Sequence, residues 1–188
     1  MKSCFCFARL AVTGLVAVVA ALSLTPVAHA GPPAPWVPST IAVPDGNAVF
    51  LVGHGVGVQI YACTATSSGF AWSFVAPRAN LYNDKGELII THFAGPTWQA
   101  MDGSRVVGGL ARSVTVDPTA IPWLRLSAVS TAAGSGGDRL AHTTFIQRIA
   151  TSGGLAPPAE ECNATTAAAV AEAPYTADYY FWQKAPQA

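Results

Sequence analysis

The sequence predicts an all-β fold, an antiparallel sandwich or a partly closed barrel, with at most a short helix near residues 164–172. Three observations carry this. Val56, Val58 and Ile60 alternate with Gly57, Gln59 and Tyr61, and Tyr175, Ala177, Tyr179 and Phe181 alternate with Thr176, Asp178, Tyr180 and Trp182. A period of two is that of half-buried strands. Asp102-Gly103 separates two strand-like stretches, one of the strongest short signals for a hairpin. Turn chemistry recurs along the chain at the spacing of a sheet built from many short strands.

Residues 1–30 read as a secretory signal peptide. Lys2 and Arg9 flank a polar start, an apolar run extends from Leu10 to Leu24, and Pro26 and Ala28-His29-Ala30 supply a cleavage site after Ala30. The run is shorter than the roughly 20 residues of a spanning helix. Export to an extracellular or periplasmic space is therefore expected, with no membrane partner once the signal is removed. Lys2 and Arg9 leave with it, so eight basic side chains face ten acidic ones, a formal charge near −2. That balance provides no electrostatic reason to expect nucleic acid as a partner.

Residues 31–43 are a proline-rich extended leader, mobile in its first part. Pro44-Asp45-Gly46-Asn47 is a turn, with proline presetting φ and glycine accepting a positive value. It opens a single β domain over 44–184, with 185–188 as a tail. One domain suits this length, since two would each bury too little surface. A strand begins at Ala48–Leu51, is interrupted at Gly53-His54-Gly55 and resumes at Val56. Phe70–Ala76 is stopped by Pro77, and Ala79–Tyr82 and Glu87–Ile90 flank the loop Asn83-Asp84-Lys85-Gly86. Trp98–Met101, Ser104–Val107, Ala111–Val116, Trp123–Val129 and Leu140–Ala150 follow, the last rich in β-branched residues. The alanine-rich Asn163–Glu172 predicts two helical turns ended by Pro174, before a last strand at Tyr175–Gln183.

The cysteines beyond the signal are Cys63 and Cys162. In an exported chain an isolated pair most simply forms a disulfide, the alternative being two inert buried thiols. Neither lies in a C-x-x-C pattern, which speaks against redox or zinc-ribbon chemistry.

The stretch His92-Phe93-Ala94-Gly95-Pro96-Thr97-Trp98, Asp102-Gly103-Ser104, Ile121-Pro122-Trp123-Leu124, Ile146-Gln147-Arg148 and Tyr175-Thr176-Ala177-Asp178-Tyr179-Tyr180-Phe181 occur together and in this order. They resemble a family of secreted microbial proteins known only as a domain of unknown function. The resemblance covers roughly Val43 to Trp182 and implies no activity. Some fungal members of that family carry a malate dehydrogenase label, which these residues do not support. A dinucleotide site needs G-x-G-x-x-G between strand and helix. Gly53-His54-Gly55-Val56-Gly57 has the wrong spacing and runs on as a strand. No cofactor is expected.

His54, His92 and His142 are spaced without any H-x-H or H-E-x-x-H, so no metal is expected. His92 is the strongest single candidate. Strand alternation puts it on the face of Leu88 and Ile90, where an inward imidazole needs a partner. Asp102 would make it an acid–base pair, although Asp102 is also accounted for by its turn with Gly103. Ser104 lies in no G-x-S-x-G elbow, which argues against a catalytic triad. Arg148 shares a face with His142, Thr144 and Ile146 and, beside an isoleucine, needs a carboxylate. Asp178 on the last strand would supply a structural pair, and the functional alternative is recognition of an anion or sugar acid. Trp72, Trp98 and Trp123 are expected in the core, whereas Tyr180 and Trp182 are expected to be exposed. The leading expectation is a noncatalytic binding or envelope-associated module for a carbohydrate-type or small polar ligand, held by His92, Trp98, Tyr180 and Trp182. The second is a small secreted enzyme with His92 as general base, assisted by Asp102 or Arg148. The oligomeric state is open.

Overall fold

The computed structural model describes Met1 and residues 31–186, so residues 2–30 of the segment read as a signal peptide lie outside the described residues. Eight antiparallel strands follow one another around a barrel: β1 (Asn47–Thr66), β2 (Gly69–Tyr82), β3 (Leu88–Phe93), β4 (Thr97–Ala100), β5 (Arg105–Val114), β6 (Trp123–Ala132), β7 (Thr143–Gly153) and β8 (Val170–Lys184). Each pairs with its neighbour in sequence and β8 pairs back to β1, so the barrel is closed. Closure removes the unpaired edges that a sandwich would have to protect.

An eight-stranded barrel is just wide enough for side chains to fill it or for one small ligand to enter. Here Leu81, Ile90, Trp98, Val106, Leu126, Ile146, Tyr179 and Phe181 are buried inside it. Charged pairs lie on the outer wall, including Arg78 with Glu172 at 2.7 Å. An apolar interior with charges outside is the reverse of a membrane-spanning barrel.

β1 inverts the expected pattern. Val56 is 56% exposed, while Gly53, Gly55, Gly57 and Gln59 face inward. A Cβ on Gly55 would lie 2.7 Å from the Tyr179 ring, and one on Gly57 would overlap Ala79. The glycines are what lets a tyrosine cross the barrel at this level. They also keep β1 a single strand rather than interrupting it. β2 likewise runs through Pro77, which pairs with Gln59 on its β1 side. The last β3 pair is Ala79 with His92, so Pro77 lies beyond it, on an edge that tolerates a missing N–H.

The expected helix near 164–172 is absent. Cys63 donates its N–H to the Ala169 carbonyl and accepts one from Ala168, and Val170 already begins β8. Tertiary pairing with β1 has overridden the helix propensity of the alanines. Two short 3-10 turns, Ser39–Ile41 and Ala159–Glu161, are the helical pieces among the described residues. The proline-rich leader is also docked. Ile41 is fully buried, its carbonyl accepts from Gln147 Nε2 at 2.7 Å, and the Ala42 carbonyl accepts from Arg125.

The Cys63–Cys162 disulfide joins β1 to the β7–β8 connection across 99 residues. A cross-link closing so long a loop acts mainly on the unfolded chain. Replacing both cysteines by serine is expected to lower unfolding free energy by about 2–4 kcal/mol, read as an earlier urea midpoint.

His54 on the outer wall bridges Asp178, 2.7 Å from Nδ1, and Asp84, 2.9 Å from Nε2. The Asp84 bond, then the Asp178 bond, raise its pKa above 6.5 against the opposing effect of burial. The stabilisation is complete below about pH 6.5, the unfolded value, and is lost as pH rises through the raised folded value. Because the side chain is 45% exposed, the loss should be modest, about 1 kcal/mol at most. His54→Gln should abolish this alkaline drift in a urea titration; an unchanged drift would assign it elsewhere.

Candidate functional site

The two ends of the barrel differ. One end gathers the β2–β3, β4–β5 and β6–β7 connections and is tied shut by Asp102. Its Oδ1 accepts from the Ser104 N–H and hydroxyl, and its Oδ2 accepts from the Arg139 N–H. Ser104 Oγ in turn accepts from the Leu140 N–H, with Ser104 and Leu140 fully buried. These bonds hold the Asp102 carboxyl below its usual range, the Ser104 hydroxyl first among them.

The other end is open. A cavity of about 380 Å³ enters it, within the range of small-molecule sites. Phe74, Val75 and Pro77 of β2, the Gly95-Pro96 corner, and Leu124 and Leu126 of β6 form apolar walls. Gln59, His92, Trp98, Arg148 and Tyr179 supply the polar groups.

His92 and Trp98 sit directly opposite each other on β3 and β4, and their rings stack at 4.2 Å with 7° between planes. The Gly95-Pro96 corner makes this register possible, Gly95 taking φ +88°. His92 Nδ1 lies 2.9 Å from the Thr97 carbonyl. A carbonyl only accepts, so Nδ1 carries a proton, and in the neutral ring Nε2 then presents a lone pair. Burial drives the His92 pKa down to about 3, opposed by the Thr97 bond and reinforced by Arg148. Burial thus favours the neutral imidazole at physiological pH.

Arg148 enters from β7, beside Tyr179 of β8 in register. Its Nη2 donates to the Pro122 carbonyl at 2.9 Å. Among the described residues no carboxylate comes within ion-pair distance of it. The expected pair with Asp178 does not form. Asp178 points outward to His54 instead, because consecutive residues of a strand face opposite sides and it is Tyr179 that faces in. Tyr179 hydrogen-bonds Tyr175 through their hydroxyls at 2.8 Å, and burial pushes the Tyr179 pKa far up.

Among the described residues three buried N–H groups have no hydrogen bond of good geometry, Gln59 Nε2, Trp98 Nε1 and Arg148 Nε, although the Gln59 and Arg148 side chains lie against the Tyr175 and Tyr179 hydroxyls. All three belong to side chains lining this one cavity. Native proteins satisfy nearly all buried donors, so these weakly satisfied groups beside one opening favour an acceptor there.

The structure thus brings His92, Trp98 and Arg148 together and leaves out the other expected site residues. Asp102 is occupied at the closed end and does not pair with His92. Tyr180 is half-buried on the outer wall, where burial and then Asp178 and Asp84 raise its pKa. Trp182 is buried, not exposed, because its Nε1 donates to Gln147 Oε1 where the leader covers the wall. Of the tryptophans expected in the core, Trp98 is there, whereas Trp72 and Trp123 are half-buried. Gln59 and Tyr179 were not anticipated. The alternation of Gly53, Gly55 and Gly57 with outward residues, ending on Gln59, is the signal that marks Gln59 as inward.

Fold and cavity together define a small eight-stranded barrel with one end tied shut and the other open and lined by donors. Within that class, the chain belongs to the family described as Protein of unknown function (DUF3455), which matches residues 44–183. No curated protein and no solved structure matches it.

Proposed function

We propose that this chain is a noncatalytic binding protein whose small ligand sits in the open end of the barrel. The observation that carries the reading is that three buried donors without a good hydrogen bond belong to side chains lining one largely apolar cavity. A ligand with acceptors would satisfy groups the fold leaves weakly bonded, and such groups are how apolar pockets orient what they bind. The signal-like residues 1–30 support binding outside the cytoplasm. A sugar-stacking role is less well supported. Trp98 is 1% exposed with one face covered by His92, and Trp182 is buried under the leader.

The test is nuclear magnetic resonance with 15N label and a panel of probes: glucose, benzoate, octanoate and octanol. Binding should move the Trp98 indole and Arg148 Nε–H signals together, with Tyr180 at the outer wall unaffected. Shifts confined to the outer wall, or none with any probe, would remove the cavity as the functional site.

A further inference from the structure

The charge inside the cavity restricts what can occupy it. Arg148 brings one positive charge, and no carboxylate of the described residues pairs with it. His92 adds none, because it is buried and neutral, with its Nδ1 proton on the Thr97 carbonyl. The site therefore carries a single uncompensated cation among Phe74, Val75, Pro77 and Leu124. A half-buried guanidinium beside apolar side chains and without a counter-ion favours an anion over a neutral acceptor. One positive charge matches one negative charge. A second would be left facing hydrocarbon.

Resting on the binding reading above, we propose that the ligand is an amphipathic monocarboxylate. Its carboxylate meets Arg148, with the Gln59 and Trp98 N–H groups as the neutral donors, and its apolar body lies against Phe74, Val75, Pro77 and Leu124. The guanidinium of arginine suits a carboxylate oxygen, and its Nε is the donor without a hydrogen bond of good geometry. Another donor, Nη2, is held by the Pro122 carbonyl, which is itself fixed where Thr151 Oγ1 donates to the Ile121 carbonyl at 2.6 Å. The arginine is thus preorganised, and binding need not order it. Phe74 and Val75 are 55% and 57% exposed. They lie on the part of β2 that extends past the end of β3, where an apolar chain or ring entering the barrel would cover them.

Octanoate and cinnamate, an aliphatic and an aromatic carboxylate, are titrated by calorimetry alongside octanamide and cinnamide, which keep shape and lose charge, and succinate, which doubles the charge. At least one carboxylate should bind about tenfold or more tighter than its amide, the scale of a charge-assisted hydrogen bond. Succinate should bind more weakly than either. Arg148→Met should bring the carboxylate down to the level of its amide while leaving amide binding in place, which also verifies that the variant is folded. Equal binding of acid and amide, a preference for succinate, or a carboxylate preference that survives Arg148→Met would overturn the monocarboxylate and leave the cavity reading standing. If no probe binds, the cavity reading fails with it.

Discussion

Acidification from about pH 7 to about pH 5 should remove roughly 2 kcal/mol of stability through His92 alone, at about 1.4 kcal/mol per pH unit. The imidazole is 3% exposed, and burial holds its pKa at about 3 in the folded chain. In the unfolded chain it titrates near 6.5. A depressed folded value means the contribution is complete above about 6.5 and is lost as pH falls toward 3, because only the unfolded chain takes up the proton. Carried to its end, that would amount to several kcal/mol, an order-of-magnitude figure for a buried group beside an opening. The window above about pH 5 separates this from the carboxylates, which titrate lower. His92→Phe preserves an aromatic ring against Trp98 and removes the proton. It should be weaker near neutrality, having lost the bond to Thr97, and should have a flatter acid limb in urea denaturation. An acid limb of unchanged slope would mean that His92 reaches solvent without unfolding. His54, raised instead of lowered, acts on the alkaline side, so the two histidines together place maximal stability near the unfolded histidine value.

How much of this was legible in the sequence differs by element. The strand character of β8, the hairpin at Asp102-Gly103 and the pairing of Cys63 with Cys162 rest on local patterns or on a count, and each is present. The breaks expected at Gly53-His54-Gly55 and at Pro77 are absent for reasons outside their own neighbourhoods. The glycines are set by a tyrosine on β8, and the proline by where β3 ends. The alanine run fails as a helix because its backbone is claimed by Cys63, more than a hundred residues earlier in the chain.

The site was half legible. His92 and Trp98 announce themselves by residue type beside a Gly-Pro corner, and Arg148 by being a lone cation on an apolar face. What could not be read is which face each neighbour takes after a bulge. β7 and β8 lose register between Ile149 and Ser152, and Asp178 lies opposite Ile149 at that point. A one-residue step there decides whether Asp178 or Tyr179 meets Arg148. The covering of Trp182 depends on a leader that carries no periodic signal, yet whose Ile41 is fully buried.

Trp98→Ala should then be the most damaging single substitution in the barrel, lowering stability by about 3–5 kcal/mol. The indole is 1% exposed and stands at the centre of the aromatic cluster. It stacks on His92 and meets Tyr179 and Phe181 edge-on, with ring centroids at 5.9 and 6.3 Å. Gly108 on β5 lacks a side chain at the place where a Cβ would come 3.0 Å from the indole edge. The surrounding strands are closed into a barrel, so they cannot collapse into the space as an open sheet edge would, and the cavity term should be close to fully expressed. Trp98→Phe separates packing from hydrogen bonding. It restores much of the volume and removes the partnerless Nε1. Its loss of stability should be clearly smaller than for alanine, and deleting an unsatisfied donor should offset part of it. If the donor serves a ligand, the phenylalanine variant should fold well yet bind the carboxylate probe more weakly. Retained affinity in that variant would confine Trp98 to the core.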